Sequence, residues 1–409
     1  MIARNNGNGR NTGNLGKIKT GLEFELFVVD DNLKPFEEAY KIAEDLGDER
    51  IQHELGRYQV EIITSPSNDV QDHRDEARES LQKLHKKLPN GTHLLPIGAY
   101  PFVFTPNVIP DPRLLDMTDK FRKKYGFAEG QGLELASGLQ GLHVNISAEG
   151  QTDEDSIRMN RFLRELVPVG VAASANSPYF MGKRLNYADN ISELFENMNG
   201  HGVLGGRRTL YLLCIGKNSG NEDSLRYGIP QDFSSIDEYT KFLDELAGAM
   251  DIAESGVEST LYTDVRIRTQ DKKGNPLPKD QKRVEFRPSD MLPTIEDNLA
   301  LSTFLKTYVA ARSEGLQTLL PQDSKNLSIM TDKAQKYGTR FSHGGLNVHD
   351  YVTSLIPTLM AYAEPNEQQY LKRFSELLER NPAQQHIMEG SKSYVGRTIN
   401  EFAAENGLA

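Results

Sequence analysis

Ionisable residues recur at every second position in several short segments of this sequence. The segment GLEFELFVVD alternates Glu23 and Glu25 with the apolar residues Leu22, Phe24 and Leu26. Because successive side chains of a β-strand point to opposite faces, this spacing predicts a strand with both carboxylates on one face, about 7 Å apart. Two carboxylates held this close repel each other unless a cation lies near them.

Four further segments show the same alternation: RYQVEIIT, GLHVNIS, DVRIR and RVEFRP. Their polar positions are Glu61, His143, Asn145, Asp264, Arg266, Arg268, Glu285 and Arg287. One interpretation is that these are the water-facing sides of an antiparallel sheet. The alternative is that they share one face and surround a ligand.

A shared face would be suited to a metal ion and a phosphate. Clustered carboxylates bind divalent cations, and a histidine among them suits Mg²⁺ or Mn²⁺. Arg287 follows Glu285 by two residues and adds the planar donor group that binds phosphate. The residues therefore suggest metal-assisted phosphoryl chemistry, and they leave the reaction itself open.

The composition narrows the class of protein. The 409 residues contain 47 Lys and Arg against 58 Asp and Glu, a net charge of −11, which argues against nucleic-acid binding. The single cysteine, Cys214, excludes a disulfide framework and a cysteine-based zinc site. No apolar run approaches the roughly 18 residues that a membrane span needs. We therefore expect a cytoplasmic protein with no nucleic-acid or membrane partner.

The order of the elements predicts the fold class. Strand and helix patterns follow each other without a regular βαβ rhythm, which favours an α+β fold with an antiparallel sheet. Residues 1–19 are rich in Gly and Asn and are expected to form a disordered tail. Residues 20–409 are expected to form a single catalytic domain, whose residues 315–409 are helical.

Local signals predict several boundaries. Helices are expected to begin after Ser67 or Asn68, at Thr152 with a capping box, and at Thr294. The segment TLYLLC, residues 209–214, is expected to be a strand. Residues 270–282 carry four lysines between two predicted strands and are interpreted either as an exposed hairpin tip or as a mobile lid.

Taken together, these segments resemble glutamate–cysteine ligase family 2, a family of carboxylate–amine ligases with a glutamine-synthetase-like fold. The resemblance rests on GLEFELFVVD, HELGRYQVEIITSP, LLPIGAYP, GLHVNIS, ANSPYFMGK, and DVRIR followed by RVEFRPSD. These segments occur in the family's order over residues 20–315. The resemblance implies a curved antiparallel sheet that is flanked by helices and forms a channel.

The family also implies a reaction and its ligands. ATP would phosphorylate the γ-carboxylate of glutamate, and the amine of cysteine would displace the phosphate, with Mg²⁺ or Mn²⁺ as cofactor. By this resemblance one metal ion is held by Glu25, Glu54 and Glu61, and a second by Glu23, His143 and Glu285. Glu285 and Arg287 are the implied catalytic residues, and Arg266 and Arg287 the implied nucleotide contacts.

Two features do not follow the family pattern directly. Glu54 and Glu61 are seven residues apart, so one regular strand would put them on opposite faces, unless a bulge or turn at Gly56 re-aims Glu54. In the family the corresponding segment brings a Ser and an Arg that help shape the substrate site, and that pair does not align with the segment KRLNYADNISELFENMNG. Another amine acceptor, a non-catalytic binding relative and a metal-dependent hydrolase therefore remain as alternatives.

Overall fold

The computed structural model describes residues 15–185, 204–214, 228–250, 263–270, 275–278 and 281–408. Residues 1–14 of the expected tail lie outside this set, as do 186–203 and part of the expected lid, namely 271–274 and 279–280. The first strand begins at Ile18, two residues before the start expected from the sequence.

The described strands and helices are as follows. The strands are β1 (Ile18–Asp30), β2 (Ile51–His53), β3 (Gln59–Ile63), β4 (Thr92–Leu95), β5 (Gly141–Ala148), β6 (Tyr179–Phe180), β7 (Lys183–Arg184), β8 (Val265–Arg268), β9 (Arg283–Asp290), β10 (Ser342–His343) and β11 (Leu346–Asn347). The helices are α1 (Ala39–Leu46), α2 (Val70–His85), α3 (Pro112–Tyr125), α4 (Leu133–Ala136), α5 (Asp153–Glu165), α6 (Val167–Ser174), α7 (Arg207–Cys214), α8 (Ile236–Met250), α9 (Ile295–Ser313), α10 (Ser324–Tyr337), α11 (Val348–Leu359), α12 (Gln368–Arg380), α13 (Pro382–Glu389) and α14 (Ser391–Asn406).

A seven-stranded sheet forms the centre of the described chain. Its order is β2-β3-β1-β5-β9-β8, and β4 pairs with the far end of β1. Every pairing is antiparallel. β1 is the central strand and pairs with β3, β4 and β5, so residues that alternate along β1 are placed beside those of three neighbours.

One face of the sheet is apolar and packs under helices. Leu22 and Phe24 of β1, Val144 of β5 and Phe286 of β9 are fully buried in the main core, together with residues of α2, α5, α6 and α9. At Gly170 of α6 an added Cβ would lie 2.5 Å from the Phe286 ring, so glycine allows the helix to approach the sheet closely. This face matches the apolar half of the alternation in the sequence.

The helix starts agree with the local signals in two of three places. Thr152 and Asp155 form the expected capping box, and the Thr294 side chain accepts a hydrogen bond from the Asp297 N–H. For α2 the cap is Asp69, one or two residues later than expected, and it accepts from Gln71 N–H. Ser67 instead donates to Asp72.

The expected strand at TLYLLC is wrong, because these residues lie in α7. Leu210 and Leu212 are both buried, although they lie on nearly opposite sides of a helix. A short apolar run cannot be assigned to a helix or to a buried strand from its periodicity alone.

The second core closes the other side of the sheet. Phe27, Tyr58, Tyr100 and Phe104 form an aromatic cluster there, and α14 adds Tyr394 to it. No helix among the described residues is both long and apolar enough to cross a membrane.

Candidate active site

The polar positions of the alternating segments lie on the same face of the sheet. Glu25 is paired directly with Glu61, and Glu23 with His143, across neighbouring strands. Asn145 is paired with Glu285, which is also paired with Arg266 on its other side. Five strands therefore bring these side chains together at the centre of the sheet.

Three ligand atoms converge around His143. Its Nδ1 lies 3.0 Å from Glu23 Oε2 and its Nε2 lies 3.4 Å from Glu25 Oε1. Glu23, Glu61 and His143 each offer one ligand atom, and these atoms lie within 4.8 Å of one another. This group combines Glu61 from one of the two implied metal sites with Glu23 and His143 from the other. The division of the ligands between two metal ions stays a prediction.

Glu54 reaches this face by a chain reversal. β2 and β3 form a hairpin in which Gln52 is paired with Glu61 and His53 with Val60. Glu54 follows Gln52 by two residues, so it extends onto the face of Glu61. The seven-residue spacing is therefore explained by a hairpin turn and not by a bulge in one strand.

Arginines surround the carboxylate of Glu285. Arg266 binds it through two nitrogens, with Nε at 2.7 Å and Nη2 at 3.0 Å, and Arg287 Nε lies 3.1 Å from Oε1. In this arrangement the carboxylate oxygens are engaged by guanidinium groups. A role for Glu285 as a metal ligand would require an arginine to yield one oxygen, and it stays a prediction.

A bulge aims Arg287 at the site. Val144 is paired with Phe286 and Leu142 with Ser289, so β9 contains one residue more than β5 between these pairs. The extra length falls at Arg287 and Pro288, and proline has no N–H for the ladder. On the other side of β9, the Arg287 N–H donates to the carbonyl of Asp264, which precedes β8, at 2.9 Å.

The site is largely removed from water, so the water-facing interpretation of these strands is wrong. Glu285 is 1% exposed, Glu25 and His143 are 4% exposed, and Arg266 is 7% exposed. The second core and the residues around α7 cover this face. Buried charges are costly without compensation, so this density of them indicates a built site.

The pKa values show how uneven the compensation is. Burial and the charge of Glu285 raise the pKa of Glu23, but hydrogen bonds with His143 and Asn145 outweigh them and lower it to about 2. Burial raises the pKa of Glu285, yet Arg266 and Arg287 hold it well below its usual range. At Glu54, burial and the neighbouring Glu25 raise the pKa to about 7. Glu54 therefore differs from Glu285, whose carboxylate is bound by two arginines.

The residues fit a divalent cation. His143 Nδ1 is hydrogen-bonded to the Glu23 carboxylate, so its Nε2 is the ring nitrogen that would bind a metal. This Nε2 is buried and has no hydrogen bond to any described residue. The other donors are carboxylate oxygens, the ligands that Mg²⁺ and Mn²⁺ prefer.

The sequence analysis did not include Arg207 among the site residues. It is buried, its Nη2 lies 3.7 Å from Glu25 Oε2, and its Nη1 donates to the carbonyls of Arg287 and Ser289. An added Cβ at Gly141 would collide with the Arg207 guanidinium, so the glycine makes room for this arrangement. Arg207 thus joins the carboxylates of β1 to the bulge of β9.

No usable signal for Arg207 was present in the sequence, because the residues that follow it were expected to form a strand. Arg207 and Arg208 stand in the first turn of α7, where the helix dipole disfavours cations. Arg208 is held there by two hydrogen bonds to Asp264, both 2.7 Å long. Once the helix is known, two arginines at its start indicate partners elsewhere in the fold.

Comparison with solved structures shows the same fold in two ligases. The glutamate–cysteine ligase from Francisella tularensis, crystallised with AMP, superposes with a TM-score of 0.71 at 13% identity, over 97% of this chain and 90% of that one. The bifunctional glutathione synthetase from Pasteurella multocida gives a TM-score of 0.66 at 15% identity, over 95% of this chain and 52% of that one. The shared fold confirms the α+β class expected from the sequence.

Curated relatives are distant in sequence. The protein named "Putative glutamate–cysteine ligase 2" from Rhodopirellula baltica is 24% identical over 298 residues, which are 70% of this chain and 66% of that protein. The similarly named protein from Rhodococcus jostii is 25% identical over 180 residues, 44% of its own length. The matched segments thus span two thirds or less of these relatives. The model of the glutamate–cysteine ligase family 2 matches residues 19–388, and the chain therefore belongs to this family.

Proposed function

We propose that this protein is an ATP-dependent carboxylate–amine ligase, which joins the γ-carboxylate of glutamate to an amine, with cysteine as the leading acceptor. The observation that carries the proposal is a separation of charge on one buried sheet face. Carboxylates crowd together around β1, β2 and β3, and guanidinium groups crowd together on β8 and β9. A metal–nucleotide complex matches this arrangement, because it presents cations and phosphate oxygens side by side.

In the proposed reaction an oxygen of the γ-carboxylate attacks the terminal phosphorus of ATP, and the bond to ADP breaks. The amine nitrogen then attacks the acyl carbon, loses a proton, and inorganic phosphate leaves with the bonding electron pair. Arg287 would meet the negative charge on the transferring phosphoryl group, and Glu285 holds Arg287 in place. Glu23, Glu25, Glu54, Glu61 and His143 would hold Mg²⁺ or Mn²⁺. The bound metal would neutralise charge on the phosphate oxygens.

The covered site supports a ligase more than a hydrolase. An acyl phosphate is destroyed by water, so a ligase must keep water from it, and the centre of this face is buried. Full sets of carboxylates and arginines also argue against a binding relative without activity. We place the reaction in the cytoplasm, where a thiol substrate stays reduced.

The test is an ADP-release screen of the purified protein with Mg²⁺, ATP and glutamate, and with cysteine or another amine in each well. We expect ADP release that depends on both glutamate and the amine, with amide product in equal amount. If the protein binds the nucleotide but forms no ADP from ATP with any amine, the result would favour the non-catalytic alternative. Substrate hydrolysis without a nucleotide would favour the metal-dependent hydrolase.

A matched pair of variants connects the result to the site. Glu25→Gln removes a buried carboxylate charge at the centre of the face. Glu49→Gln removes an exposed carboxylate charge just before β2. We expect ADP release to be lost in the first variant and kept in the second. Equal activity of both variants would contradict the proposed site.

A further inference from the structure

Two arginines face each other where β8 pairs with β9. Arg268 is directly opposite Arg283, two residues along the strands from the pair of Arg266 with Glu285. At the inner step the charges are complementary and form a bidentate ion pair. At the outer step they are alike, and like charges directly opposite each other on neighbouring strands destabilise a sheet.

The outer arginines lack the carboxylate that the inner one has. Arg268 is 7% exposed, and its Nε has no hydrogen-bond partner among the described residues. Arg283 donates from Nε to Asn145 Oδ1 at 3.0 Å, which is a neutral acceptor. Within the part of the chain that the structure describes, neither arginine forms an ion pair. The neighbouring Lys282, in contrast, forms an ion pair with Asp153 at 2.6 Å.

The pair is connected to the metal-binding half of the face. Asn145 accepts from Arg283 and donates from Nδ2 to Glu23 Oε1 at 2.9 Å. Arg266 and Arg268 extend from the same face of β8, because they are two residues apart. The charge of Arg268 also contributes to the low pKa of Glu285. The pair therefore lies about 7 Å along the strands from Glu285, on the same polar surface.

We propose that Arg268 and Arg283 form an anion subsite that binds the phosphate chain of the nucleotide, beyond the phosphoryl group that Arg287 contacts. This inference rests on the proposed ligase function and adds the orientation of the nucleotide. Metal-bound phosphate oxygens lie toward Glu23 and His143, and the remaining phosphate charge lies toward β8. Guanidinium groups suit this role, because their planar donors match phosphate oxygens in pairs.

The test compares Arg268→Met with Lys372→Met, which removes one exposed positive charge on α12. Binding of pyrophosphate, ADP and adenosine to the full chain is measured by calorimetry in the presence of Mg²⁺. For Arg268→Met we expect roughly tenfold or greater weakening for pyrophosphate and ADP, as a lost charge-assisted hydrogen bond gives. Adenosine affinity should not change, and Arg268→Lys should recover part of the loss.

Thermal unfolding without ligand separates binding from a structural role. Met fills much of the volume of the arginine stem and removes one of two opposed charges. We therefore expect the midpoint of Arg268→Met to stay the same or rise. A midpoint several degrees lower, with unchanged affinity for ADP, would overturn the proposal.

Two further results would also overturn the proposal, in different ways. If glutamate affinity falls and ADP affinity stays, the subsite binds the substrate carboxylate and not the phosphate chain. If the wild-type chain binds neither ADP nor pyrophosphate, the proposed function itself fails. If the wild-type chain binds both and Arg268→Met binds them equally well, only the subsite fails.

Discussion

The two faces of the central sheet are built from the same strands, but one is apolar and the other is crowded with charged side chains. On β9, Phe286 points into the main core, while its neighbours Glu285 and Arg287 point into the charged site. Apolar groups on the first face gain free energy from each neighbour they bury against. On the second face each added carboxylate raises the cost of the others, as the raised pKa of Glu54 shows. The first face stabilises the fold, and we propose that a ligand completes the second.

Buried carboxylates on the helices show a different arrangement. Asp297, at the start of α9, accepts from Arg373 at 2.9 Å and from Arg380 at 2.6 Å. Glu165 is similarly bound by Arg312 at 3.0 Å and by the Tyr308 hydroxyl. At these two positions several donors meet one buried carboxylate. On the charged face, burial and the charge of Glu25 instead raise the pKa of Glu54 to about 7.

The largest effect should come from breaking the apolar face. Phe286→Ala should lower the free energy of unfolding by about 3–5 kcal/mol, because it leaves a cavity beneath α6. Phe286→Leu should cost less than about 1.5 kcal/mol. Denaturant unfolding of the purified variants measures both values. A loss below 1 kcal/mol for the alanine variant would mean that this face does not carry the stability.

On the next position of the same strand, Arg287→Ala should leave the fold in place and remove turnover. We expect kcat to fall about 10²–10³-fold, because Arg287 would meet charge that grows during transfer. The Michaelis constant for ATP should rise much less. Steady-state kinetics with Arg287→Lys as the charge-matched control measures the split. A raised Michaelis constant with unchanged kcat would reduce Arg287 to a binding residue.

His73 shows how the apolar side treats a titratable group. It is 1% exposed, with hydrogen bonds to the hydroxyls of Thr20 at 2.8 Å and Thr64 at 2.9 Å, and burial lowers its pKa to about 4. Between pH 6.5 and 4 the unfolded chain binds more protons at this residue than the folded chain does. The stability contributed by neutral His73 is therefore present above pH 6.5 and is lost as the pH falls toward 4, by up to about 3 kcal/mol.

The measurement is the free energy of unfolding at several pH values, for the wild type and His73→Gln. The variant should show a shallower decline between pH 6.5 and 4. Burial also lowers the pKa of His386, to about 3, so some decline should remain. An identical slope in both proteins would show that His73 is protonated without cost.

The smallest expected effect concerns Glu54 on the charged face. Glu54→Gln removes one charge from the crowded carboxylates, so the metal-free protein should become more stable by about 1 kcal/mol. Added Mg²⁺ should then raise the unfolding midpoint of the variant less than that of the wild type. Glu49→Gln serves as the exposed control. An equal Mg²⁺ shift in all three proteins would remove Glu54 from the metal site.

Much of the site was accessible from local patterns. Alternation with a period of two is a property of neighbouring residues, so it identified the strands and the face shared by Glu23 with Glu25 and by Glu285 with Arg287. Capping at Thr152 and Thr294 is equally local. The family resemblance added Glu54, which the spacing alone placed on the wrong face.

Other features depend on residues that are far apart in the sequence. The turn between β2 and β3 brings Glu54 beside Glu61, and only the register of β8 with β9 sets Arg266 against Glu285 but Arg268 against Arg283. Burial is also a tertiary property, so the sequence could not show that α7 is a helix or that the charged face is covered. The sequence by itself determined which residues share a face. The tertiary structure decided which charges meet, because pairing and exclusion of water arise only when distant segments pack together.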